Sequence, residues 1–185
     1  MRLNETSIPG CFELVPPAFR DNRGSFVKHF HRDQFEALGL ETCFPEEFYT
    51  RSSARVLRGL HCMVPPFDQV KVVTCVFGSV LDAVVDLRRG SPTYGKYILT
   101  ALDAERCNML YIGKGMAHGF YVPTGEAVLL YRVSTMHSPL HDKGIRWDSA
   151  GIPWQVSDPV VSSRDMALPT LQDFECPFEF PWVYA

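Results

Sequence analysis

Lys71 interrupts the β-branched run Val70-Lys-Val-Val and, on period-two alternation, shares a face with Val73 and Cys75. An ammonium on an apolar face is costly unless it snorkels, finds a partner or does chemistry. Its plain alternative is an edge-strand lysine that discourages aggregation. His61 closes Val56-Leu-Arg-Gly-Leu-His, where an imidazole could move protons or could be a satisfied core residue. Arg58, three residues earlier, falls on the opposite face of a regular strand, but the intervening Gly59 could bulge it and re-aim both side chains. Tyr131 ends Val128-Leu-Leu-Tyr and could plug a core with its hydroxyl satisfied. His118, in Gly115-Met-Ala-His-Gly-Phe, is bracketed by glycines that let backbone or ligand come close. Asp165 follows Ser162-Ser-Arg in a loop, where a solvated turn carboxylate is the simpler reading. Singly, each signal is weak.

Such groups act only if strands hold them. Runs at 70–77 and 80–87 flank Gly78-Ser79 and predict a hairpin; the second alternates Leu81, Ala83, Val85 and Leu87 against Asp82 and Asp86. Further strands are expected at 25–30, 56–61, 96–102, 108–112, 117–122 and 127–134, with Pro, Gly or Asp between most of them. A short helix is expected at 33–38, stopped by Gly39 at C′. Many short strands with one or two short helices make an all-β sandwich or barrel. At roughly 150 residues per domain, the 185-residue chain is one domain, 1–185. From about residue 150 it turns Pro-rich and aromatic, ending Cys176-Pro-Phe-Glu-Phe-Pro-Trp-Val-Tyr184. This reads as a strap packed on the barrel or on a neighbouring subunit.

Composition narrows the function. Eighteen basic against 21 acidic residues give a net charge of −3, so no basic excess drives nucleic-acid binding. No apolar stretch nears the roughly 18 residues of a membrane span. The first ten residues lack the apolar core of a signal peptide, which makes the cytoplasm the expected compartment. The six cysteines lack zinc-knuckle spacing, and several, like Cys75, sit in apolar runs as buried, reduced thiols.

Taken in order, six strings resemble the dTDP-4-dehydrorhamnose 3,5-epimerases, small cupins acting on nucleotide-linked 4-keto-6-deoxy sugars. They are Phe19-Arg-Asp-Asn-Arg-Gly-Ser-Phe26, Val56-Leu-Arg-Gly-Leu-His61, Asp86-Leu-Arg-Arg-Gly-Ser-Pro-Thr-Tyr-Gly-Lys96, Gly115-Met-Ala-His-Gly-Phe120, Leu130-Tyr131 and Gly144-Ile-Arg-Trp-Asp148. The resemblance implies a cupin jelly-roll barrel, a homodimer, and an isomerase needing no cofactor or metal, since the 4-ketone is the electron sink. It implies His61 as the base, Asp165 as the carboxylate that orients it, Lys71 beside the C4 oxygen, and Tyr131 as the acid on the opposite face. Arg23, Arg58 and Arg164 would contact phosphates and sugar, and His118 the sugar. Phe26 joins them as a substrate contact. The lack of a His-x-His pair, with Cys62-Met63 after His61, sets the chain apart from metal-binding cupins.

Departures cluster at base-contacting and gating positions. Lys28 replaces a glutamate common in the family, Glu46-Glu-Phe48 a Gln-Asp-Asn-like string, and Met136-His137 a tyrosine pair. They leave open the base (dTDP, CDP or GDP), the sugar (hexose or heptose), and whether one centre or two invert. Two other readings compete: a metal-dependent cupin dioxygenase or isomerase, and a non-catalytic sugar-binding cupin. A binding module has no need of a base and an opposed acid together.

Overall fold

A computed structural model describes residues 1–180. Among them, the strands and helices follow as β1 Arg2–Glu5, β2 Cys11–Val15, β3 Ala18–Asp21, β4 Gly24–Val27, α1 Arg32–Ala37, β5 Glu46–Ser53, β6 Leu57–Met63 and β7 Lys71–Phe77. Next come β8 Ser79–Asp86, β9 Tyr97–Asp103, β10 Met109–Ile112, β11 Met116–Tyr121, β12 Glu126–Val133, β13 Asp142–Gly144 and α2 Ser163–Met166. One antiparallel sheet runs β1-β2-β10-β7-β12-β5 and a second β13-β6-β11-β8-β9, while β3 and β4 pair only with each other. The two large sheets face each other as a jelly roll, the all-β barrel that the strand spacing predicts.

Three apolar clusters explain why the central strands are apolar on both faces. Between the sheets lie Val73 and Cys75 of β7, Val80 and Val84 of β8, Phe120 of β11, and Leu129 and Tyr131 of β12. Each large side chain fully buried there contributes roughly 1.5–3 kcal/mol. Outside the six-stranded sheet, Val72 and Tyr111 pack under Phe35 of α1 and Leu40. Outside the five-stranded sheet, Ala83, Val85 and Leu87 pack under Ile145, Ile152, Trp154, Cys176 and Phe178. The strap therefore covers the barrel's own sheet; Pro181 to Tyr184, its expected end, lie outside the described residues.

α1 ends as the sequence predicts. Gly39 takes φ +68°, its N–H reaches the Glu36 carbonyl at 3.0 Å, and the Leu40 N–H reaches the Phe35 carbonyl at 2.9 Å. This is a Schellman stop with Leu40 and Phe35 in one cluster. The expected 70–87 hairpin is not formed. β7 pairs with β10 and β12, β8 with β11 and β9, and Gly78 at φ +73° carries the chain from one sheet to the other. A Gly-Ser corner between sheets has the same local pattern as a hairpin turn, so only packing separates them. The expected strand at 25–30 is the shorter β4, because Phe30 leaves the hairpin to pack against Phe35 and Phe44.

Candidate active site

The inward alternation of five strands brings the polar residues to one end of the barrel. Tyr131 pairs across strands with Val73, and Val133 with Lys71, so the β7 ammonium and the β12 phenol lie at the same end. His118 of β11 stands opposite His61 of β6. β5, at the sheet edge, adds Phe48 and Thr50, cross-strand from Tyr131 and Leu129. A cavity of about 170 Å³ is lined by Phe48, Thr50, Arg58, His61, Lys71, His118 and Tyr131, among others. An adjoining lobe of about 310 Å³ shares Phe48, His61 and Lys71 and adds Glu46, Met63, His137 and Asp142.

Arg58 and His61 reach one cavity because β6 is bulged. Its register against β11 shifts between His118 and Phe120. Gly59 sits there at φ +118°, and a Cβ on it would lie 2.6 Å from Gly119 Cα and 2.8 Å from the His118 carbonyl oxygen. Two facing glycines thus let the strands touch, and the bulge turns both side chains inward. Arg58 is fixed by Nε donating to Ser52 Oγ at 3.0 Å.

His61 Nε2 meets Asp165 Oδ1 at 2.8 Å, with side-chain exposures of 28% and 5%. Asp165 lies on α2, where its N–H is capped by Ser162 Oγ at 3.1 Å, and its Oδ2 accepts the Gly59 N–H at 3.0 Å. Burial opposes its charged form, but the His61 ring, the Gly59 N–H and the Ser162 hydroxyl outweigh that and hold the carboxyl below its ordinary value. Giving Nε2–H to Asp165 leaves the ring's lone pair on Nδ1. Lys71 Nζ donates to the His61 carbonyl at 3.2 Å; burial pulls its ammonium below the ordinary lysine value. Burial pushes the Tyr131 phenol up. Its ring is stacked on Phe48, with centroids 4.8 Å apart and planes 10° from parallel, and it meets the edge of His118 at 6.0 Å.

His118 also has a carboxylate. Its Nε2 lies 2.9 and 2.8 Å from the two oxygens of Asp82, which is fully buried. Burial raises the Asp82 carboxyl against the pull of His118 and Lys71. Alternation showed Asp82 opposite the Leu81 face, and that opposite face is the barrel interior. At the rim, Asp142 Oδ2 meets His137 Nε2 at 3.1 Å and its Oδ1 meets Arg164 at 2.8 Å. Burial opposes the charge on Asp142, yet Arg164 and His137 hold the carboxyl low. Glu46 Oε2 accepts the His137 N–H at 2.7 Å. Nothing in the local sequence marked Asp142 or Thr50.

Three candidates lie elsewhere. Arg23 and Phe26 line a separate cleft on the β3–β4 hairpin with Phe19 and Arg20. Arg23 pairs with Asp21 at 2.6 Å on the surface, and Lys28 Nζ lies 6.0 Å from the Phe26 ring centre. Within one chain, these residues do not reach the His61 cavity.

The profile of the dTDP-4-dehydrorhamnose 3,5-epimerase family matches residues 5–173. The chain is 38% identical to the dTDP-4-dehydrorhamnose 3,5-epimerase of Shigella flexneri over 169 residues, 90% of this chain and 93% of that one. It is also 38% identical to a dTDP-4-dehydrorhamnose 3-epimerase of Streptomyces niveus over 168 residues, 89% and 81% of the two chains. Among solved structures, dTDP-6-deoxy-D-glucose-3,5-epimerase of Legionella pneumophila, in complex with dTDP-4-keto-L-rhamnose, superposes with a TM-score of 0.89. It has 31% identity and covers 94% of each chain.

Proposed function

The chain belongs to the dTDP-4-dehydrorhamnose 3,5-epimerase family, and on that premise we propose how its cavity inverts a carbon beside a ketone. The protein is a carbohydrate epimerase working on a dTDP-linked keto sugar of the 4-dehydro-6-deoxyglucose class. A 4-ketone acidifies the C–H bonds at C3 and C5. His61 Nδ1 takes one of those protons, and the C–H electron pair moves into a carbon–carbon double bond as the carbonyl becomes an enolate. Asp165 stabilises the imidazolium, and Lys71 faces the charge gathering on the C4 oxygen. Tyr131 gives its proton to carbon from the other face. The electron pair returns to form the new C–H bond, the ketone re-forms, and a phenolate remains. Imidazolium and phenolate reset through water at the cavity mouth. The substrate's own carbonyl carries the electrons throughout, so the scheme calls on no cofactor or metal.

Convergence of the His61–Asp165 pair, Lys71 and Tyr131 on one cavity supports this reading. Arg58 and His118 are the sugar and phosphate contacts, with Arg164 at the rim. Glu46, Phe48 and His137 shape the adjoining lobe and bear on which base is accepted and whether one centre or both invert. A homodimer fits the β3–β4 hairpin, whose Phe19 and Phe26 are 65% and 59% exposed. Arg23, Phe26 and Lys28 would then serve a second copy's cavity.

Proton NMR in D2O with dTDP-, CDP- and GDP-linked 4-keto-6-deoxy sugars tests the scheme. Exchange at C3 and C5 with the dTDP sugar, abolished in His61→Asn, is expected. In His137→Tyr the C3-to-C5 ratio should change, and an unchanged ratio removes His137 as a gate. No exchange with any of the three overturns the assignment of His61.

A further inference from the structure

Tyr131 has to become an anion in a barrel interior, where an unsolvated phenolate is expensive. Thr50 addresses that cost. It lies on the inward face of β5, two residues from the Phe48 ring that stacks on Tyr131. Its hydroxyl oxygen is buried and closes no well-formed hydrogen bond among the described residues. A buried hydroxyl left without a bond destabilises a fold, so this donor asks for an explanation. The explanation is its position: Thr50 lines the same 170 Å³ cavity as His61, Lys71 and Tyr131. Burial pushes the Tyr131 phenol up, and the Thr50 hydroxyl is the first group working the other way, ahead of the Arg58 charge.

We propose that Thr50 is a positioning residue for the acid step, its hydroxyl donating to the Tyr131 oxygen as the phenol gives its proton to carbon. The bond is worth little while Tyr131 is neutral and strengthens as the phenolate forms, so it acts on the transition state rather than on substrate binding. Phe48 holds the ring plane while Thr50 holds the oxygen. The proposal rests on the epimerase reading above and adds a residue that acts only through Tyr131.

That restriction makes it separable from a structural role. Exchange by His61 alone returns deuterium to the face it left, without inversion; inversion needs Tyr131. The experiment follows dTDP-4-dehydro-6-deoxyglucose in D2O with wild type, Thr50→Val and Thr50→Ser, scoring exchange and inversion separately. In Thr50→Val, inversion should fall about 10- to 100-fold, the worth of one hydrogen bond to a charged group. Exchange should persist and KM stay near its wild-type value. Thr50→Ser keeps the hydroxyl and the wild-type ratio. Valine is nearly isosteric and favours strands, so Thr50→Val should melt close to wild type. Exchange and inversion falling by the same factor, or an unchanged ratio in Thr50→Val, overturns the proposal while the epimerase reading stands. A wild-type protein that neither exchanges nor inverts overturns both.

Discussion

Lys71 and Tyr131 are driven in opposite directions by the same burial, and the consequence is readable in solution. Burial lowers the Lys71 ammonium and raises the Tyr131 phenol, so on raising pH the lysine loses its proton first. The proposed enolate partner is the charged lysine, so on the basic side activity should fall as pH climbs through the folded Lys71 value. That fall begins below the ordinary lysine value of about 10.4. A kcat/KM profile should show this basic limb, and Lys71→Arg, whose guanidinium stays charged, should move it upward even at a lower plateau. A limb at the same pH in Lys71→Arg assigns it to another group. Lys71 itself was legible in the sequence, because an ammonium between valines is out of place. Asp82 was visible as a break in alternation, but the side of the sheet it faces needed the strap to be seen covering the other.

At the level of elements, the bulge in β6 decides whether Arg58 and His61 work together. Gly59→Ala would set a methyl carbon against Gly119 and the His118 carbonyl, at a backbone angle that disfavours alanine. The expected result is a loss of about 1–3 kcal/mol in denaturant unfolding, with kcat reduced more than a stability loss of that size explains. Wild-type kcat in Gly59→Ala would show that the bulge does not set the site. The glycine announced itself in Leu-Arg-Gly-Leu-His, as did Gly39 at the end of α1. The edge strand β5, Glu-Glu-Phe-Tyr-Thr-Arg-Ser-Ser, did not. With one neighbour in its sheet it needs no apolar outward face, so its pattern looks like a loop. The β3–β4 pair was half-missed for a related reason: it is a two-stranded ribbon with no large sheet behind it.

For the whole molecule, that ribbon raises the question of what completes it. A two-stranded hairpin is marginal in water, and this one shows two phenylalanines to solvent. In a dimer they would be covered. Light scattering should return twice the chain mass for wild type and a single chain mass for Phe19→Asp/Phe26→Asp, which should also bind the nucleotide sugar more weakly. A wild-type monomer with full activity removes the shared site. The Pro-rich, aromatic segment from about residue 150 was marked by composition; the partition into two sheets was not marked, because strand pairing is long-range and leaves no local mark. Topology also divides the labour of the barrel. His61, Lys71 and Tyr131 sit on β6, β7 and β12, each held between two neighbours, whereas Glu46 and Phe48 sit on a border strand with one. Side chains on that border can be exchanged without rebuilding the interior, so a lineage can drift from one sugar to another by editing a single ribbon. The proton-moving groups, locked in the middle, would be inherited unchanged.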